Sequence, residues 1–384
     1  MRNEFLLDPG LVFLNHGSFG ACPKVVLDRL HAWQLEGERN PVKVLGRDSA
    51  ALLGSARDRL AEFVHARSAD LAFVGNATTA VNIVARSLTL RPGDEVLGTD
   101  HEYGACVAAW QAACARAGAS YREVEVPLPF EPETWAAQLL AAAGARTRLI
   151  FASHISSATA LIFPVAELCA GARERGIATL IDGAHAPGHI DLDLDAIGAD
   201  YYTGNCHKWL CAPKGTAFLH LRPEHAASID PLVVSWGRVA ETADETAFDA
   251  YTGRTTLERR LLWLGTRDIA PFLTVPAAID FQRQHDWPRW QRRCHELAVQ
   301  TLRRVTARNG LAPIAPESAQ GQMVTLPVRC ADAAGLQRDL FERHRIEVPV
   351  TRHREHVLVR VSVQAYNEPA DLQALEAALA EAGV

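Results

Sequence analysis

The run Ala178-Thr-Leu-Ile-Asp182-Gly-Ala-His185 is a short, mostly apolar stretch that stops at one carboxylate and turns at a glycine. It reads as a buried strand, and in open α/β sheets the ligand crevice lies beyond the carboxyl ends of such strands. Asp182 is therefore expected to face a binding site. A carboxylate there can bind a metal, accept a ribose hydroxyl, hold a protonated ring nitrogen, or simply cap the next turn.

Around this run, residues 70–220 alternate short apolar segments with longer amphipathic ones, the signature of βα units and a mostly parallel sheet. Strands are predicted at Leu71–Val74, Glu95–Thr99, Tyr121–Val126, Leu149–Ser153, Ala178–Ile181, Tyr201–Thr203 and Thr216–Leu221, with helices near 78–90, 104–117, 132–144 and 164–176. Residues 223–265 read as a loop-rich connection and 270–308 as a long helix. Beyond it, strands at Gln322–Val328, Glu347–Val350 and Val357–Val363 with helices near 333–344 and 369–382 give an α+β pattern. The expected fold is α/β, with an N-terminal arm and large domain over residues 1–267 and a small C-terminal α+β domain over 268–384.

Composition narrows the function. A chain of 384 residues can bury a full core, and its net charge of −6 offers no general field for nucleic acid. The arginines and tryptophans interleaved over Gln282–His295 read as an amphipathic helix rather than a nucleic-acid surface. Eight cysteines without a C-x-x-C pair suit reduced thiols and a cytoplasmic protein. The stretch without charged residues, Leu149 to Ala166, is broken by His154, Ser156, Ser157, Thr159 and Pro164, so no membrane span is expected.

Only four of the 39 basic residues are lysines: Lys24, Lys43, Lys208 and Lys214. Lys208 stands in Gly204-Asn205-Cys206-His207-Lys208-Trp209, directly after a predicted strand. A partly desolvated lysine there is a better nucleophile and can form a Schiff base with a carbonyl; an isolated lysine is also commonly a surface residue. Lys214, in Pro213-Lys214-Gly215, competes for the role. A third feature, Gly75-Asn76-Ala77-Thr78-Thr79-Ala80, opens a helix after a strand and can bind phosphate through backbone N–H groups, or merely cap the helix. A phosphate cradle, a carboxylate for a ring nitrogen and a lysine for an aldehyde together describe a pocket for pyridoxal 5'-phosphate.

With these motifs the sequence resembles the class V aminotransferase family of fold-type-I pyridoxal phosphate enzymes. Leu14-Asn-His-Gly-Ser-Phe-Gly20, Asn76-Ala-Thr-Thr-Ala-Val-Asn82, Asp100-His-Glu-Tyr103, Asp182-Gly-Ala-His185, His207-Lys208 and Arg360-Val-Ser-Val-Gln-Ala-Tyr-Asn367 occur in the family's order. The opening motif and Asp100–Tyr103 look most like the isopenicillin N epimerase-like branch. The resemblance implies that Lys208 carries the cofactor, that Asp182 pairs with its ring nitrogen and that His185 lies by its phenolic oxygen. It implies phosphate contacts from Ala77, Thr78, Asn205 and His207, and an aromatic ring at Tyr103 over the cofactor face. Thr266 matches a phosphate contact donated by a second subunit, which makes a homodimer with shared sites the expected assembly. Arg360 matches the arginine that grips the carboxylate of a small amino-acid substrate, with Asn15 and His16 nearby.

Two departures bear on the reaction. Cysteine desulfurases need a mobile cysteine shortly before that arginine, and Glu347–Val359 has none, the nearest upstream being Cys330. The His-x-Ser-Asn of many relatives is His154-Ile-Ser156-Ser157 here. The resemblance thus implies chemistry at an amino acid's α-carbon, epimerisation first, with C–S lysis by β-elimination or transamination as alternatives. Epimerisation needs a second acid, for which Tyr103 and His16 are candidates. Rival readings are a metal site at Asp182, His185, His189 and Asp191, a solvated turn at His353-Arg-Glu-His356 with ligand-like spacing, and a non-catalytic sensor or scaffold.

Overall fold

A computed structural model describes residues 1–243 and 246–384. Seven strands form the central sheet: β1 (Leu71–Val74), β2 (Glu95–Thr99), β3 (Ser120–Val124), β4 (Thr147–Ser153), β5 (Ala178–Asp182), β6 (Tyr201–Asn205) and β7 (Ala217–Leu221). Their order is β1-β7-β6-β5-β4-β2-β3, and only β7 opposes the rest. Strands such as β5 and β6 are almost wholly buried because helices cover both faces, which is why they read as continuous apolar runs. β3 lies at the edge and leaves polar side chains exposed.

Each predicted strand of this sheet occurs, within three residues at either end. The helices 77–87, 104–117, 132–142 and 165–174 also fall where the periodicity puts them. Asn76 caps the first through the Thr79 N–H at 2.8 Å, and Gly118 ends the second in a left-handed turn. The expected long helix does not exist as one piece. Residues 270–309 form three helices, Ala270–Leu273, Val275–Gln284 and Trp287–Asn309, with prolines in the first turn of each and a left-handed Asp286 at one break. Helices Lys24–Arg39 and Ser49–Phe63 were not anticipated; the second packs Leu53 and Leu60 into the main core.

A second, antiparallel sheet pairs β8 (Met323–Val328) and β9 (Val350–His353) with the central β10 (His356–Ser362). Its apolar cluster takes in Leu302, Val305, Leu340 and Leu379 from the helices around it, whereas Phe272, Ile279 and Phe281 join the core under the seven-stranded sheet. The N-terminal segment ties the two together. Val12–Phe13 pairs with Ile346–Glu347, Asn15 bridges to Ser362, and the chain then crosses to the Lys208 loop. There Gly20, at φ +71°, lies so close that a Cβ would sit 2.1 Å from the His207 carbonyl oxygen. No helix among the described residues is long and apolar enough to cross a membrane.

Candidate active site

Because β1, β2, β4, β5 and β6 run the same way, their carboxyl ends share one rim, and a cavity of about 420 Å³ opens there. It is bordered by Ala77, Thr78, Tyr103, Asp182, His185, Asn205, His207, Lys208 and Arg360. Four further residues singled out in the sequence lie elsewhere. Thr266 is exposed on a turn beside Trp33 and Arg267, at a different depression. His16 is completely buried behind the lysine loop, its Nδ1 bonded to the Tyr366 hydroxyl and its Nε2 3.0 Å from the Lys208 carbonyl oxygen. Asn15 stands behind Arg360. Lys214 is exposed and does not border the cavity.

Lys208 Nζ lies 3.1 Å from His185 Nε2. Burial lowers the pKa of Lys208 to about 8, against the opposing pull of Asp182. Asp182 ends β5 and is 4% exposed. One of its oxygens accepts the Ala184 N–H at 2.9 Å, and the other has, among the described residues, only the Cys106 thiol at 3.7 Å. Desolvation raises its pKa, and the cost of that buried charge falls when a cationic donor approaches. The carboxyl of Glu102 turns inward to accept from Thr99 Oγ1 (2.5 Å) and Ser153 Oγ (2.7 Å), and desolvation pushes its pKa up to about 8.

The helix start at Ala77 shows why Thr78 is available. Asn205 Oδ1 takes the Ala77 N–H, Asn76 takes those of Thr79 and Ala80, and the Thr78 N–H has no acceptor among the described residues. Backbone N–H groups and the helix dipole favour an anion at this point. His207 donates from Nδ1 to the Thr216 carbonyl at 2.9 Å, and burial lowers its pKa to about 4, so its Nε2 offers a lone pair until an anion draws a proton there.

Arg360 closes the far side from β10. It is 5% exposed, no carboxylate pairs with it among the described residues, and its Nε has no hydrogen-bond partner. Instead Ser157 accepts through its carbonyl (2.6 Å) and hydroxyl, and Asn15 Oδ1 and Ser18 Oγ accept at 3.2 and 2.8 Å. Desolvation lowers its pKa to about 10. A buried guanidinium whose partners among the described residues are all neutral has the chemistry to receive a carboxylate. Ser157 thus holds the arginine, a role that no spacing in the sequence reveals. Ser18 and Glu102 were missed for the same reason, although both lie inside motifs already quoted.

The metal alternative finds no support at Asp182. His185 Nδ1 accepts from Trp209, and His189 Nε2 accepts from the Gln322 N–H. The described group with ligand-range spacing is Asp100, His101 and His353, where Arg354 already pairs with Asp100 at 2.7 Å. His353 is buried against His101 rather than solvated, because the β9–β10 hairpin folds onto the end of β2.

A profile described as aminotransferase class-V matches residues 12–375. The chain is 40% identical over 383 residues to the isopenicillin N epimerase of Streptomyces clavuligerus, covering 98% of this chain and 96% of that protein. It is 29% identical over 405 residues to a probable chloroplastic L-cysteine desulfhydrase of Arabidopsis thaliana, covering 97% and 83%. Among solved structures, a C-DES mutant with glycine covalently linked to its PLP cofactor superposes with a TM-score of 0.85 at 24% identity, covering 99% of both chains, so the fold is shared. With a profile match over nearly the whole chain and 40% identity to a full-length relative, the protein belongs to the aminotransferase class-V family.

Proposed function

We propose that the protein is a pyridoxal phosphate-dependent enzyme that epimerises the α-carbon of an amino-acid substrate. The observation that carries this reading is one cavity holding a buried lysine, a buried carboxylate at a strand end, and a buried arginine without a carboxylate partner among the described residues. The 40% identity to an isopenicillin N epimerase favours epimerisation among the reactions such a cavity can serve.

The residues fit the cofactor on their own terms. The unpaired Thr78 N–H and the Asn205 amide suit its phosphate, with His207 donating as the imidazolium that the dianion favours. The under-partnered Asp182 oxygen suits a protonated ring nitrogen. Bound pyridoxal phosphate supplies an aldehyde for amines and a ring that withdraws electrons from the substrate's α-carbon. Asp182 keeps the proton on the ring nitrogen. Arg360 binds the substrate carboxylate as a planar fork and so fixes which α-substituent faces Lys208. Lys208 Nζ, its pKa lowered to about 8, takes the α-proton on one face. Tyr103, half exposed at the mouth, is the donor for the opposite face; His16, behind the lysine loop, is not placed for it.

A homodimer with shared sites is part of the same proposal; what supports it is that Thr266 lies outside its own chain's cavity, at a different depression. The eight unpaired cysteines suit the reducing cytoplasm. The test is a panel of amino acids, isopenicillin N and cysteine S-conjugates, recording product chirality, pyruvate, ammonia and keto acid. Inversion without pyruvate supports the proposal. Pyruvate and ammonia from a cysteine conjugate would replace it with C–S lysis, the reading that the desulfhydrase relatives favour.

A further inference from the structure

Trp209 follows Lys208 in the chain, yet its ring turns back into the protein. It is fully buried, stacks on the His189 ring with centroids 4.0 Å apart, and brings its Nε1 to 3.2 Å from His185 Nδ1. Gln282 holds its carbonyl at 2.8 Å, and Gly188 packs so tightly that a Cβ would lie 2.6 Å from the Trp209 backbone. The indole is therefore fixed before anything enters the cavity.

An indole nitrogen donates and never accepts, so its hydrogen bond requires a lone pair on His185 Nδ1. A neutral imidazole carries a single N–H, which then resides on Nε2. Burial, with Lys208, Arg360, His189 and His16 facing the ring, holds the pKa of His185 well below its usual value and keeps it neutral. Its Nε2–H points at Lys208 Nζ, 3.1 Å away. An ammonium has no lone pair to accept that hydrogen, whereas an unprotonated amine does.

We propose that Trp209 is a positioning residue: its N–H locks His185 as the Nε2–H tautomer, which presents a donor to the Lys208 amine and, when pyridoxal phosphate is bound, to its phenolic oxygen. The second half rests on the cofactor reading above; the first concerns the polypeptide alone. Without the indole N–H, His185 can move its proton to Nδ1 and offer Nε2 as an acceptor. That arrangement stabilises the lysine ammonium, which Asp182 and Cys106 also favour and Arg360 opposes.

The test uses Trp209→Phe, which keeps an aromatic ring against His189 and removes the donor. Two-bond ¹H–¹⁵N correlations on the cofactor-free protein, with the His185 signals identified by their loss in His185→Gln, should show Nε2–H in the wild type and Nδ1–H, alone or mixed, in the variant. The pH midpoint for capture of pyridoxal phosphate by the cofactor-free protein should rise in the variant by about one to two units, the scale of one hydrogen bond gained by the charged form. Nδ1–H in the wild type overturns the proposal, and this arm needs no variant to fold. An unchanged tautomer in a folded variant overturns the role of Trp209. An unchanged midpoint overturns the coupling to Lys208. A wild-type protein with Nε2–H that captures no pyridoxal phosphate supports the tautomer lock and overturns the cofactor half.

Discussion

The cavity has two walls built on different logic. The wall carrying Lys208, Asp182, Thr78 and Asn205 is the rim of one sheet, where each residue ends or follows a strand and is placed by the strand beside it. The wall carrying Arg360 is a junction, where Asn15, Ser18, Ser157 and Arg360 meet from three segments as much as 345 residues apart. The rim puts ionisable groups where desolvation changes their protonation. The junction instead holds one permanent cation with neutral acceptors, so the proposed function puts chemistry on the first wall and recognition on the second.

Substitutions can break that division, starting with the lysine. Lys208→Ala should leave no borohydride-fixed cofactor on any peptide and reduce turnover by about 10³-fold or more, the upper range for a lost acid–base group. An adduct mapped to Lys214 would move the chemistry off the rim. Asp182→Asn should keep fold and cofactor while lowering kcat about 100-fold, because an amide does not hold a ring proton as a carboxylate does. Near-normal kcat would make Asp182 structural.

Arg360→Ala tests the other wall, and its effect should fall on apparent substrate affinity, costing about 2–5 kcal/mol as expected for a truncated buried charge partner. Ser18→Ala should shift KM in the same direction by about 1.5–3 kcal/mol at most, with kcat nearly unchanged. A fall in kcat alone from either change would merge the two walls into one machine.

Glu102 should show itself in stability rather than in turnover. Its folded pKa, near 8, lies above the usual value of 4.5, so the folded state holds its proton more tightly than the unfolded one. The stability this contributes is complete below about pH 4.5 and is lost as pH rises through about 8. Glu102→Gln, which mimics the neutral acid, should therefore match the wild type at pH 5 and gain on it by pH 8 in urea midpoints. A constant difference between the two pH values would show that Glu102 is ionised throughout.

The same contrast explains what the sequence disclosed. Asp182 and Lys208 could be found because a buried strand announces its end in apolar pattern and polar punctuation, and the function lies at that end. The binding partners of Arg360 carry no such local mark: Ser18 and Ser157 are small polar residues in turns, and their value arises only when the N-terminal arm lies across β10. The helix at 270–308 failed for a related reason. Its apolar period continues past Pro276 and Pro288, but backbone geometry breaks where the pattern does not.

Gly20 brings no functional group, yet the arm reaches the lysine loop only because position 20 has no side chain and adopts a left-handed backbone. Any replacement meets the His207 carbonyl and the Lys208 backbone. In a screen of random point changes scored for activity, position 20 should therefore be as intolerant as the residues that border the cavity, and a mutational map would mark as part of the active site a residue that touches no substrate.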